Sequence, residues 1–352
     1  MQHEITEARA LLDKKGHITE EGWARKPLWQ YKREDVKGSK LAIKEWDYYA
    51  LINQEEGFAL TVTFSDLGYA ALLAIAYIDF SRKACVQKDA IKVFPMGKLG
   101  LSPSSTENSQ ISWANKDLRI AFIKRGDKRH LMFACPSMEL PDGRVGLDAN
   151  VTLTQNPAME SINIATSWKE NRKAFYLNEK VNCMPVEGSI RRGLDKKSLL
   201  LGETWGVLDW GRGRWTYQNR WYWSSASGLL DNIPFGFNLG YGFSDRSPAS
   251  ENALFYNGVI HKLETITFHI PEEGYLFPWK VSSSDNRVNL DFEPAVDRSS
   301  TTNLLLVKSI QHQVFGYFTG TVILDDKTEL KLTRFAGFAE GKRKLSSYFN
   351  KN

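Results

Sequence analysis

The feature that most constrains this chain is a succession of short segments in which apolar residues alternate, each cut off from the next by a tight turn. Residues 58–64 alternate with a period of two. Segments 118–124 and 130–134 flank Arg125-Gly126-Asp127, and 145–154 follows Pro141-Asp142-Gly143. Segments 253–256 and 260–269 flank Asn257-Gly258, a pair that tolerates positive φ and suits a two-residue hairpin. Segments 319–324 and 329–334 flank Asp325-Asp326-Lys327. Only residues 4–14 suit a short helix, closed by Gly16. Strands this dense predict an all-β chain of antiparallel sandwich or barrel type with a short N-terminal helix.

The chain has 352 residues. An eight-stranded antiparallel barrel takes roughly 150 residues, so two fit in tandem. An internal repeat supports the pair: Phe58-Ala-Leu60-Thr-Val-Thr-Phe64-Ser65-Asp66 aligns with Phe237-Asn-Leu239-Gly-Tyr-Gly-Phe243-Ser244-Asp245, identical at five of nine positions, each preceded by a tryptophan-containing aromatic segment. The expected division is a first barrel over 1–170, a second over 171–345 and a tail over 346–352; one continuous sandwich is the alternative.

Three cysteines in no zinc-binding spacing suit a reduced compartment. The polar first ten residues lack the apolar core of a signal peptide, and the longest apolar run, 67–78, is too short to span a bilayer. A cytoplasmic protein without integral membrane contact is expected. The net charge of +5 falls short of a dedicated nucleic-acid binder, so no nucleic-acid partner is expected. The basic run Lys342-Arg343-Lys344 reads as a solvated tail, with attachment to an anionic surface as the lesser reading. No metal-ligand spacing, phosphate loop or nucleophile elbow occurs, and neither metal nor cofactor is expected.

The chemistry-bearing stretch runs from Glu203 to His261. Five of the eleven tryptophans lie between Trp205 and Trp223. A strand over 203–209 puts Glu203, Trp205, Val207 and Asp209 on one face. A carboxyl at the end of an aromatic face has its charge disfavoured by desolvation, so Asp209 is the candidate acid. Arg212 or Arg214 could pair with it, and Arg212 could anchor an anionic group. Gly211 and Gly213 suggest a bulge at the barrel rim. Trp205, Trp215, Tyr217, Trp221 and Trp223 are the candidate walls. In residues 235–243 three glycines share a face with Asn238, leaving room for a ligand or for a close-packed strand. Glu251 and His261 fall on neighbouring strands and could form an acid–base pair, or an ordinary surface contact. Asn252 and Lys180 complete the candidate ligand-binding set, Lys180 being a side chain that solvent would ordinarily claim.

These residues resemble the bacterial domain-of-unknown-function 2804 family over nearly the whole chain. The likeness is carried by Gly22-Trp23-Ala24-Arg25-Lys26-Pro27-Leu28, the segment 176–185, Leu208-Asp209-Trp210-Gly211-Arg212-Gly213-Arg214-Trp215 and Glu251-Asn252-Ala253-Leu254-Phe255. That family is distantly similar to tandem lipocalin-like (calycin) enzymes, among them carotenoid hydratases and terpenoid or polyketide cyclases. The resemblance implies two lipocalin-like barrels with a ligand cavity in one barrel or at their junction. It implies no catalytic residues, because none of those enzymes' motifs matches here. Two readings stay open: a cofactor-independent lyase, isomerase or hydratase acting on an apolar, amphipathic or glycosidic small molecule, and a non-catalytic carrier or sensor of a lipid-like ligand.

Overall fold

A computed structural model describes residues 2–216, 219–304 and 307–341. Tyr217 and the run Lys342-Arg343-Lys344 lie outside these. Strands occupy most of the described chain, and the helical elements within it are two single 3-10 turns, Arg33–Asp35 and Lys40–Ala42. No helix is long and apolar enough to cross a membrane among the described residues.

The N-terminal strap carries β1 (Arg9–Ala10), β2 (Gly22–Ala24) and β3 (Trp29–Gln30). The expected helix over 4–14 does not form. Ile5 donates its N–H to Trp23 O, Arg9 to Leu28 O and Leu11 to Gln30 O, and Ile5, Leu11 and Leu12 are buried in the first core. A helix this short is marginal alone, so pairing and burial override its local propensity. Gly16, at φ +85°, closes a turn back onto Asp13 instead.

The first sheet is built from β4 (Ile43–Asn53), β5 (Phe58–Asp66), β6 (Ala70–Asp79), β7 (Ala84–Val93), β8 (Ser109–Ala114), β9 (Arg119–Arg125), β10 (Lys128–Glu139), β11 (Val145–Thr154), β12 (Ile162–Trp168), β13 (Asn171–Arg192) and β14 (Asp195–Arg214). The second holds β15 (Tyr222–Leu230), β16 (Ile233–Tyr241), β17 (Ala253–Tyr256), β18 (Val259–Lys262), β19 (Ile266–His269), β20 (Trp279–Ser283), β21 (Val288–Leu304), β22 (Val307–Ile323) and β23 (Glu329–Gly341). Their lateral orders are β7-β6-β5-β4-β14-β13-β11-β10-β9-β8, with β12 pairing off this path to β13 and to β2 of the strap, and β18-β17-β16-β15-β23-β22-β21-β20-β19. In both, the first strand pairs antiparallel with the last, β4 with β14 and β15 with β23, which curls each meander toward a barrel. The two halves of the sequence repeat fall on β5 and β16, equivalent places in these orders.

Two details depart from the sequence reading. The change of sheet falls between Arg214 and Tyr222, downstream of the boundary expected at 170/171, because the first meander needs β14 to pair with β4. The segment 260–269 breaks into β18 and β19, which are the two opposite edges of the second sheet. The chain crosses the barrel's open side there, so no single strand can span it.

Strict alternation places the cores. On β14, Leu208 and Trp210 point into the first barrel, whereas Trp205 and Val207 point at the second. On β23, Phe335 and Ala339 point into the second barrel, whereas Ala336 and Phe338 point at the first. A third apolar layer therefore lies between the barrels, where β13 and β14 pack on β15 and β16.

Candidate active site between the two barrels

The same alternation brings charged side chains into that middle layer. Lys180 on β13 and Asp209 on β14 are direct cross-strand partners, and both point at the second barrel. Lys180 Nζ lies 2.9 Å from Asp209 Oδ2, and Asn178 Nδ2 donates to Asp209 Oδ1 at 2.7 Å. Asp209 thus accepts at both oxygens, one bond being charge-assisted. Lys180 Nζ also sits 3.9 Å above the Trp223 ring and 3.6 Å from Glu251 Oε2. Arg246 faces the other oxygen of Glu251 at 3.5 Å. Trp223 Nε1 donates to Asn238 Oδ1 at 2.7 Å, and Asn238 Nδ2 donates to Glu251 O at 2.8 Å. Lys180, Asp209, Glu251 and Asn238 are all buried. Charges are not taken out of water in this way unless they are paired.

A third carboxyl group faces them from β23. Glu340 is buried; its Oε2 accepts from Trp221 Nε1 at 3.0 Å and its Oε1 from Gln313 Nε2 at 2.7 Å. Among the described residues it takes part in no ion pair within salt-bridge range. Burial pushes its carboxyl up to about 7, against the opposing pull of the Trp221 N–H and of Lys180 and Arg298 nearby. Burial also raises the Tyr176 hydroxyl well above the usual phenol range, assisted by the negative charge of Glu251 and Asp209, so Tyr176 stays protonated.

Aromatic rings close the layer. Trp46 stacks on Tyr176 at 6.0 Å, Trp215 meets Trp46 edge-on at 5.3 Å, and Phe243 meets Trp215 at 4.6 Å and Tyr176 at 4.8 Å. Trp46, Trp215 and Trp221 are only half-buried. Gly211 lies directly across from Trp46, and a Cβ there would stand 2.0 Å from the indole. A Cβ on Gly240 would stand 2.7 Å from Glu251 Oε1. The expected bulge at Gly211 and Gly213 is absent, since pairing runs in unbroken register from Trp205 to Arg214 on β4. The glycines make room for protein rings and carboxylates rather than re-aiming the strand, and the glycine face of β16 is filled in the same way.

The unbroken register also relocates Arg212 and Arg214. Both lie an odd number of residues from Asp209, so they take the opposite face. Arg212 is fully buried in the first barrel; it pairs with Asp47 at 3.0 Å, donates to Trp46 O at 2.8 Å and stacks 4.2 Å over Trp210. It cannot pair with Asp209 or anchor a ligand in the middle layer. The Arg214 guanidinium packs against Gly38. The Glu251–His261 pair does not form either. His261 registers with Leu254, whose side chain lies in the second barrel's core, and its Nδ1 is 3.4 Å from Asp325 at the rim. Glu251 lies on the side of Ala253 and Phe255, which face the first barrel. Trp205 belongs to the middle layer and donates its N–H to Gly202 O. Asn252 ties Gly240 N–H to Glu264 O and so fixes the loop that carries Glu251.

The sequence reading missed Trp46, Tyr48, Tyr176, Arg246, Gln313 and Glu340. Glu340 left a usable signal: it is the lone charge that interrupts Phe335-Ala-Gly-Phe-Ala-Glu340, on the parity of Ala336 and Phe338. Among the described residues, no group of three or more His, Cys, Asp or Glu side chains is arranged to hold a metal ion. The first barrel's interior contains a space of about 30 Å³ beside Asp47, Tyr49 and Arg129, enough for a single water. A cleft of about 240 Å³ lined by Gln2, Tyr241, Ser250, Asn252 and Glu264 reaches Arg246 from outside. Neither space borders Asp209.

Solved structures share this architecture. A structure assigned to AttH from Nitrosomonas europaea superposes with a TM-score of 0.52 at 13% identity, over 90% of this chain and 98% of its own. CghA superposes with a TM-score of 0.53 at 10% identity, over 86% and 88%, and CghA with Sch210972 gives 0.52 over the same shares. At these identities the likeness establishes the fold, two tandem antiparallel lipocalin-like barrels. No curated protein sequence matches the chain. Residues 2–345 match the family described as Domain of unknown function (DUF2804), and the chain belongs to that family.

Proposed function

We propose that this chain binds a small, largely apolar molecule at the junction of its two barrels and carries out cofactor-independent proton-transfer chemistry on it, of the hydration, cyclisation or isomerisation kind. One observation carries the reading: three paired charges, Lys180, Asp209 and Glu251, are buried under a roof of half-buried tryptophans, with the half-buried Arg246 pairing Glu251 from the edge. A purely structural middle layer is served as well or better by apolar residues of the same volume. Aromatic faces suit an apolar ligand and stabilise positive charge developing on it, and the carboxylates supply and accept protons. Asp209, expected from the sequence to be the acid, is instead the base of this scheme, because its two oxygens already accept from Lys180 and Asn178. CghA, of the same fold, has been crystallised with the small molecule Sch210972, in keeping with a fold that admits such ligands.

The test starts with protein purified from its own host. Native mass spectrometry should reveal a co-purifying apolar compound. That compound, incubated in heavy water, should take up deuterium with the wild type and not with Asp209→Asn, which should still bind it. Binding without exchange would make the protein a carrier. Purified protein that is empty and binds no panel of isoprenoid alcohols, fatty acids or polyketides would end the proposal.

A further inference from the structure

Glu340 is held by groups that only give hydrogen bonds. The Trp221 indole N–H is a donor with no acceptor capacity, and it occupies Oε2. Gln313 carries both an amide NH2 and a carbonyl oxygen, so its orientation matters. Arg298 settles it: its Nη1 reaches Gln313 Oε1 at 2.5 Å, and a guanidinium can only donate. The NH2 of Gln313 must therefore face the other way, toward Glu340 Oε1 at 2.7 Å and Tyr48 Oη at 2.9 Å. Gln311 is a further donor to the same carboxyl. Each carboxyl oxygen accepts an N–H, and neither Trp221 nor the NH2 of Gln313 can take a proton from it. Tyr48 is in a similar position: its oxygen accepts from Gln313, and its own O–H has no hydrogen-bond acceptor among the described residues.

We propose that Glu340 is the proton donor of the junction site and that Gln313, locked by Arg298, is the positioning residue that aims this proton away from the protein and at the ligand. The inference rests on the proposed function for what the proton is used for, but not for where the proton sits. What keeps the proton there is burial without an ion pair: it raises the carboxyl to about 7 although the N–H donors, which favour the carboxylate, pull the other way. Of the charged groups, Lys180 from β13 and Arg298 from β21 bear on it, and it bears in turn on the phenols of Tyr48 from β4 and Tyr176 from β13. The ligand this suits carries a carbon–carbon double bond. The O–H bond of Glu340 breaks as the π pair forms a C–H bond, and the O–H electron pair stays on the carboxylate. The resulting cation then loses a neighbouring proton to Asp209, giving the isomer, or takes up water, whose surplus proton returns to Glu340.

Infrared difference titration of the full chain tests this without any ligand. The wild type should show a protonated-carboxyl C=O band that disappears with a midpoint near 7 and is missing from Glu340→Gln, which is isosteric and should keep its far-ultraviolet circular dichroism. Gln313→Leu removes an N–H that favours the carboxylate and should raise the midpoint by about one pH unit, a tenfold change in proton affinity. A band that titrates in the ordinary carboxylate range, or that is equally present in Glu340→Gln, would overturn the assignment of the proton. A midpoint indifferent to Gln313→Leu would overturn the role of Gln313. The two proposals fail separately. A Glu340 band with its midpoint near 7 but no deuterium uptake by any bound compound sinks the function and spares the proton's position, whereas uptake that survives Glu340→Gln sinks this inference and spares the function.

Discussion

β14 and β23 occupy equivalent places in their barrels. Each is the last strand of its meander, each pairs back onto the first, and each sends one carboxyl group into the layer between barrels. The two carboxyls are treated in opposite ways. Asp209 receives an ammonium and an amide N–H. Glu340 receives only neutral N–H groups at contact distance and is pushed up by burial. Acid–base chemistry needs one group that gives a proton and one that takes it, and the two carboxyls differ in the partners that would suit them to these roles. The near-duplication of the barrels supplied two similar positions, and their cross-strand neighbours differentiated them. Tyr48 stands across from Asp209, with Lys180 on its other side; Trp223 stands across from Glu340, with Gln313 on its other side.

The comparison breaks most sharply at Lys180. Lys180→Met leaves Asp209 buried without a cation and removes one partner of Glu251. Breaking a buried pair on one side costs about 3–5 kcal/mol, and urea unfolding should register a loss of that order. A loss below about 1 kcal/mol, the range of exposed pairs, would mean that water reaches Asp209 and that the two carboxyls are not so different.

Next in size is the pH dependence of stability. Glu340 has its carboxyl raised in the folded state from an ordinary 4.5 to about 7. Between those values the folded state holds the proton more tightly than the unfolded chain, so stability falls as pH rises through this window. The full difference is on the order of 3 kcal/mol. Glu340→Gln should flatten this slope and be more stable than the wild type above neutrality, whereas Asp209→Asn should leave the slope in place. Urea midpoints at several pH values decide it, and a slope unchanged in Glu340→Gln would put the proton on another group.

Smaller again is Gly211→Ala. Its Cβ would lie 2.0 Å from the Trp46 ring, so the indole must move off the strand beside Asp209. Overpacking of this kind costs about 1–3 kcal/mol. Tryptophan fluorescence should shift while the infrared band of Glu340 stays, because the displaced ring lies on the Asp209 side. If the Glu340 band moved equally, the two halves of the layer would be acting as one site.

How much of this was legible in the sequence depends on which contacts carry it. Period two over 203–209 gave the correct face for Trp205, Val207 and Asp209, because alternation is local. The same rule, carried on to 212 and 214, would have set both arginines on the far side; it was the expected bulge at Gly211 and Gly213 that hid this. The two glycines answer to Trp46 and Phe175, remote in the chain, and nothing near them says so. Lys180 reads as a solvated side chain because its partners Asp209 and Glu251 come from other strands. Glu340 was harder still. Its strand reads as ending near Arg334, and Trp221 is 119 residues away. The fold, by contrast, was largely visible, since turns and alternation are local; the N-terminal helix failed because pairing of the strap with Trp23, Leu28 and Gln30 outweighs a short helical preference.

The smallest effect expected is also the control that the comparison needs. An imidazole is the other side chain that ordinarily changes charge near neutrality, so a pH effect assigned to Glu340 could in principle come from His261, which the sequence places near Glu251. Geometry separates them: His261 shares a face with Leu254 and lies at the rim beside Asp325, whereas Glu251 points at Lys180. Rim contacts of this type contribute within about 1 kcal/mol. His261→Ala should therefore alter stability by less than that and leave the pH slope, the infrared band and any deuterium uptake as they are in the wild type. Should His261→Ala instead remove the slope that Glu340→Gln leaves behind, the titrating group is the histidine, and the division of labour between β14 and β23 falls with it.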